Sequence, residues 1–159
     1  MNPIDFLNTC QSDALEQLAE LEETLPGPSR AARFRHLELH LLALISVKEE
    51  IFYPTVAMAQ PSAEPLLEGY ESHVEILCAL ERLKANLSRN SARFQQFSQL
   101  LENHFFFDAQ RVFPRGFDAI SAREWMELGD ELVAAFESRT RIAPIAMVPA
   151  IESRRRMAS

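Results

Sequence analysis

The sequence is poor in glycine and cysteine and has no long apolar run. Its 159 residues include four glycines and two cysteines. So few glycines argue against a turn-rich β fold. Cys10 and Cys78 fall in predicted helices without a pairing motif, so we expect reduced, buried thiols in a cytoplasmic protein. No stretch approaches the ~18 apolar residues of a membrane span, and the N-terminus lacks the pattern of a signal peptide.

The chain also lacks excess positive charge and the usual catalytic motifs. Its formal net charge is -7, which argues against a nucleic-acid partner. The run Arg154-Arg155-Arg156 is too short to reverse that balance, and we expect it to be a solvated tail. There is no Gly-x-Ser-x-Gly, no phosphate-binding loop and no Cys-x-x-Cys. We therefore expect a protein that is not an enzyme.

The residues that are abundant indicate helices around an aromatic core. Apolar residues make up 47% of the chain, and 11 residues are Phe. Apolar positions recur at steps of three and four, the period of a helix with one buried face. They predict four long helices and one shorter one, from about Ile4 to Leu25, Arg30 to Tyr53 (with Ser29 as N-cap and Pro54 as stop), Ala63 to Leu87, Ala92 to Phe113 (with Pro114 as stop), and a last one that starts at the capping box Ser121–Glu124.

Four such helices with short connections favour an all-α fold, an up-down-up-down four-helix bundle with a short fifth C-terminal helix. We place the bundle at residues 1–138. Pro144 and Pro149 predict an irregular C-terminal tail at residues 139–159. Its stretch Ile142–Val148 is too apolar for a free tail, so we expect it to pack on the bundle or to form a homodimer or partner contact.

Each long helix carries at least one polar residue among the apolar residues that recur along its buried face, which we call its seam. These residues are Gln11, Lys48, His73, His104 and Asp108. In an antiparallel bundle all of them converge toward one end. An unpaired buried polar group costs about 1–3 kcal/mol, so these side chains must find hydrogen-bond or charge partners within the layer. It could do so around a metal bound by His73, His104 and Asp108, or as a metal-free network built on a Lys48–Asp108 pair.

Two segments of the chain end alike. One runs from Leu44 to Pro54 and the other from His104 to Pro114. Aligned on the prolines, Leu44 takes the place of His104, and Lys48 takes the place of Asp108. The pattern is that of a duplicated helical metal-site element in which one copy has lost its metal ligands.

These residues resemble the hemerythrin-like (HHE cation-binding) family over about residues 4 to 136. Four segments match its helices in order, namely Glu49–Pro54, Glu71–Leu77, His104–Pro114 and Trp125–Leu132. The resemblance implies a four-helix bundle and non-haem iron used in O2, NO, redox or iron sensing. It also implies ligand positions at His73, His104 and Asp108.

Other family ligand positions are substituted here. The first-helix His position is Gln11, or Asp13 if the alignment slips. The second-helix His is Leu44, and a bridging carboxylate is Lys48. His40 and Glu49 are candidates to compensate. A family-type di-iron centre does not fit this set, whereas two histidines and one carboxylate could hold a single Fe(II) or Zn(II).

Three readings follow from the sequence. The first is a hemerythrin-like protein with a reduced, at most mononuclear, iron site. The second is a metal-free pseudo-hemerythrin that acts as a regulatory or protein-interaction module, with Lys48 and Asp108 paired in place of the metal. The third is a small-molecule binder whose aromatic cavity is lined by Phe105, Phe106 and Phe107.

Overall fold

Helices form every regular element that the computed structural model describes, which covers residues 1–60, 64–88 and 91–157. The α-helices are α1 (Pro3–Glu23), α2 (Pro28–Val47), α3 (Tyr53–Ala59), α4 (Glu64–Lys84), α5 (Ser91–Phe107), α6 (Phe113–Ala119) and α7 (Ala122–Met157). Two π-helical turns, π1 (Lys48–Phe52) and π2 (Asp108–Val112), join α2 to α3 and α5 to α6. The all-α prediction is therefore confirmed.

The long helices enclose one core. Helix α1 packs on α2 and α5, α4 packs on α5 and α2, and α7 packs along α1 and α2. The seams point inward, with Leu7, Leu41 and Leu101 each no more than 1% exposed. At about 25 cal/mol per Å² of apolar surface, burial of these seams is the main favourable term in folding.

The helix starts follow local capping chemistry. The side chain of Asn2 accepts a hydrogen bond from the Ile4 amide at 2.9 Å. The predicted capping box is present, since Ser121 and Glu124 bond each other's backbone amides at 3.2 and 3.3 Å. Ser29, in contrast, does not cap α2. The helix starts at Pro28, two residues before the predicted start at Arg30. The fixed φ of proline suits a first turn, and Gly27 precedes it with a φ of +143°.

The sequence predicted that Pro54 and Pro114 end their helices, and this prediction is wrong. In each case a five-residue π-turn precedes a seven-residue α-helix that has the proline as its second residue. The amide of Tyr53 donates to the carbonyl of Lys48, and the amide of Phe113 donates to that of Asp108. We attribute the continuation to the wider π-turn, which makes room for a proline ring that would clash in a regular α-turn.

Helix α7 is longer than the short fifth helix predicted. It spans 36 residues, so the backbone from 139 to 157 is helical where we expected an irregular tail. The helix continues past Pro144 and Pro149, although each removes one backbone donor and its ring crowds the preceding turn. The division into a domain at 1–138 and a tail stays a prediction.

The cysteines differ in exposure. Both are free, Cys10 is buried, and Cys78 is exposed, which corrects the expectation that both are buried. Burial, and secondarily Asp13, raises the pKa of Cys10 to about 12. Among the residues described, no helix has the length and apolarity needed to cross a membrane.

Candidate metal centre

The polar seam residues meet inside the bundle. Gln11 is 5% exposed, Lys48 1%, His73 0%, His104 2% and Asp108 0%. They come from α1, π1, α4, α5 and π2, so every long helix of the core except α7 contributes directly or through its π-turn. The structure thus brings together all five positions that the seam pattern singled out.

Asp108 is the centre of this cluster. One carboxylate oxygen, Oδ2, accepts from Nζ of Lys48 and from Nε2 of Gln11 at 3.1 Å. The other, Oδ1, accepts from the hydroxyl of Tyr53 at 3.0 Å. Both oxygens of this buried carboxylate therefore have hydrogen-bond donors, as a buried anion requires.

Lys48 supplies the positive charge of the cluster. Its Nζ contacts Asp108 and lies 2.7 Å from Nε2 of His104. It also lies 5.8 Å from the centre of the Tyr53 ring, within the range of a cation–π interaction. Burial lowers the pKa of Lys48, and Asp108 opposes that shift. The carboxylate and the imidazole together give the ammonium partners that water cannot supply here.

His104 is neutral and its tautomer follows from its neighbour. An ammonium donates and cannot accept, so Nε2 of His104 accepts from Lys48 and the ring proton lies on Nδ1. That Nδ1 is buried without a hydrogen-bond partner. Burial, followed by the charge of Lys48, lowers the pKa of His104 to about 2.

His73 lies beside His104 but bonds outward. The ring centroids of the two histidines are 4.7 Å apart, and the His73 ring stacks on Tyr53 at 5.4 Å. Its Nδ1 lies 2.8 Å from Oε1 of Glu49, while its buried Nε2 has no partner. Burial, with the charge of Lys48 as a second cause, lowers the pKa of His73, so Nδ1–H donates to Glu49.

Tyr53 belongs to the cluster, although its position in the sequence predicted no such role. Residues five apart in a π-turn lie on one face, which places Tyr53 on the same side as Lys48. Gly69 on α4 makes room for it, since a Cβ there would lie 2.6 Å from the Tyr53 hydroxyl. Burial, followed by Asp108, raises the pKa of Tyr53, so its hydroxyl stays protonated and donates.

A family model supplies the context for this cluster. The model of the hemerythrin HHE cation-binding domain matches residues 2–115, well over half of the 159-residue chain. The chain belongs to the hemerythrin HHE cation-binding family. Comparisons with curated proteins and with solved structures gave no match.

The residues present do not fit the iron centre that this hemerythrin family implies. Iron would need the lone pairs of His104 Nε2 and of the Asp108 oxygens, which here face Lys48, Gln11 and Tyr53. The second-helix position Leu44 is apolar and 1% exposed. Across residues 1–60, 64–88 and 91–157, no group of three or more His, Cys, Asp or Glu side chains is arranged to hold a metal ion.

The two candidate compensators do not complete a metal site. His40 lies 2.7 Å from the carbonyl of Cys10 and 3.4 Å from Nε2 of Gln17, so both its nitrogens are engaged away from the cluster. Glu49 reaches His73 but not Asp108, and its side chain is 34% exposed. In the first helix, Gln11 faces the cluster while Asp13 is exposed.

The proposed aromatic cavity does not form. Phe105 is 8% exposed and Phe106 is 69% exposed. Consecutive helical residues point about 100° apart, so Phe105, Phe106 and Phe107 cannot line one cavity. Phe107 instead lies 6.4 Å from the His104 ring.

One signal in the sequence, the proline that ends each repeated segment, could have identified Tyr53 as a member of the cluster. Tyr53 directly precedes Pro54, and Phe113 directly precedes Pro114 in the repeated segment. A proline after an unbroken apolar pattern is a cause of irregular helix turns, so the pattern after Lys48 had to shift. Gly69 carried no signal of its own, because its role depends on Tyr53 across the core.

Proposed function

We propose that this chain is a metal-free member of the hemerythrin family that acts as a regulatory or protein-interaction module rather than as an enzyme. The observation that carries the proposal is the contact of Lys48 Nζ with both Asp108 and His104 Nε2. An ammonium here does electrostatically what a bound cation would do, since it neutralises the carboxylate and engages the imidazole.

The proposal includes an up-down-up-down order of α1, α2, α4 and α5. It is supported by short connections, such as residues 24–27 between α1 and α2, and by the closed ring of neighbouring helices. It also includes an intracellular location, supported by the two free cysteines. The cluster is buried, so its proposed role is to fix the bundle on which an interaction surface is presented.

Replacement of the metal by the lysine is physically more favourable than coexistence of the two. A buried charge pair is stable only if both members keep their partners. A cation entering between His104 and Asp108 would displace the ammonium and leave it buried without an anion. Binding of iron would therefore carry the added penalty of a stranded buried charge.

One observation favours the competing function, a single iron ion used in O2, NO or iron sensing. Nε2 of His73 is a buried nitrogen without a partner, and it belongs to the ring adjacent to His104. A metal held by His73, His104 and Asp108 would use that lone pair. The test must therefore separate the two functions.

Metal content provides the test. The protein is purified from cells grown with excess iron, and metal is measured by mass spectrometry. We expect fewer than about 0.1 iron ions per chain, because metal affinity requires free, deprotonated ligands. The matched variant Gln11→His/Leu44→His/Lys48→Glu restores the family pattern, and we expect it to retain iron.

Two results would contradict the proposal. Near-stoichiometric iron in the wild-type protein, lost in His73→Ala, would establish the iron-binding function. A restored variant that folds but stays free of iron would show that the lysine is not what excludes the metal.

A further inference from the structure

A groove on the described surface lies away from the buried cluster, between α3, the end of α6 and the start of α7. Its volume is about 390 Å³. Its apolar lining includes Met58, Ile120 and Leu128. Met58 is 91% exposed, whereas Leu128 is 5% exposed. A groove of this size accommodates one or two apolar side chains of a partner.

One rim of the groove is acidic. Glu124, Glu127 and Glu131 line it, and their spacing of three and four residues places them along one side of α7. Glu127 pairs with Arg123 at 2.8 Å in an exposed contact, which is weak and exchangeable. Glu131 is exposed. The groove therefore fits a segment that is both basic and apolar.

A segment of this kind lies at the end of α7. The sequence from 154 to 157 reads Arg-Arg-Arg-Met, three positive charges followed by one flexible apolar residue. Within one chain this segment cannot reach the groove. Glu131 and Arg154 lie on the same helix, 23 residues apart in sequence, which is about 35 Å at 1.5 Å per residue. Only a second copy can supply it.

We propose that two copies of this chain pair through α7, the Arg154–Met157 segment of each docking in the acidic groove of the other. A two-fold arrangement uses both grooves and both segments and closes the assembly at a dimer. The inference rests on the proposed role as an interaction module and names the partner.

Reciprocal charge reversal tests the pairing. Variant one carries Arg154→Glu/Arg155→Glu/Arg156→Glu, and variant two carries Glu127→Lys/Glu131→Lys. Glu124 is left intact because it caps α7. Each variant alone sets like charges against each other, so we expect its dimer dissociation constant to rise at least about tenfold in analytical ultracentrifugation. The control Glu16→Lys/Glu23→Lys has the charge change of variant two at exposed positions of α1 and should dimerise like the wild type.

Mixing the two variants gives the decisive result. In the mixture both contacts again join opposite charges, so a heterodimer should form with an affinity near that of the wild-type dimer, weakening as salt is raised. Circular dichroism of each variant establishes that it is folded.

Three results would overturn the pairing. The first is a wild-type protein that stays monomeric at about 100 µM, well above the micromolar range of a specific contact. The second is a dimer that survives both charge reversals, and the third is a mixture of the two variants that does not associate. The first leaves the groove to a basic segment of another protein. Iron content is a separate readout, so an iron-loaded dimer would contradict only the metal-free proposal, and an iron-free monomer only the pairing.

Discussion

Asp108→Asn should destabilise the protein far more than removal of its partner lysine. The substitution keeps the size of the side chain but leaves the ammonium of Lys48 facing no anion at 1% exposure. Breaking a buried pair from one side costs about 3–5 kcal/mol. A domain of this kind has about 5–15 kcal/mol in total, so the variant should approach the unfolding threshold.

Lys48→Met should be milder. Asp108 then retains its donors Gln11 and Tyr53. We expect a loss of about 1–3 kcal/mol, the range for a buried group that loses one of several partners.

The double variant Lys48→Met/Asp108→Asn removes both charges at once. It should be more stable than Asp108→Asn alone, so the losses are not additive and the cycle should give a coupling of at least about 1 kcal/mol. The assay is urea unfolding at pH 7 followed by circular dichroism, with equal m-values required for the comparison.

An exposed pair in the same protein provides the control. Arg33 and Glu20 lie 2.7 Å apart with side chains 52% and 53% exposed. Arg33→Met, Glu20→Gln and their double variant should each change stability by less than about 1 kcal/mol and add up. Asp108→Asn within 1 kcal/mol of the wild type, or a double variant that equals the sum of its parts, would refute the buried ion pair.

Two further predictions concern the same core. Burial depresses the pKa of both His73 and His104, so the unfolded chain, with histidine pKa values near 6.5, binds more protons, and stability is full above that pH and lost as pH falls. We expect the free energy of unfolding to drop by about 2–3 kcal/mol between pH 7 and 5.5. His36→Gln, at an exposed site, should keep this drop, and a flat profile would contradict it. Gly69→Ala should destabilise by about 1–3 kcal/mol in urea unfolding because its Cβ collides with Tyr53, whereas an open helical site would gain up to ~1 kcal/mol, so the sign decides.

The sequence could predict the helices and the polar layer because both depend on local periodicity. A seam with steps of three and four places Gln11 and His73 inward whatever lies across the core. One pairing within the layer could also be predicted, because the opposite charges of Lys48 and Asp108 stand at matched positions of a repeated segment.

The π-turns could not be predicted by a regular helical period. That period places Ile51 in the seam after Lys48, but the extra residue of the turn buries Phe52 and Tyr53 instead, and Ile51 is only partly buried. The same shift carries the chain past Pro54. The length of α7 was also missed, because proline is a local signal and the packing of α7 on α1 and α2 is not.

The Lys48–Asp108 contact also fixes the alignment, or register, of the two halves of the chain against each other. Each half contributes one member of the pair, from equivalent positions at the start of π1 and π2. If the first half slipped by four residues, about one helical turn, Leu44 or Phe52 would face Asp108, an apolar side chain in either case. Leucine seams tolerate such a slip far better, since one apolar seam residue then replaces another. A buried charge pair thus selects one alignment of the halves among several that would bury similar apolar area.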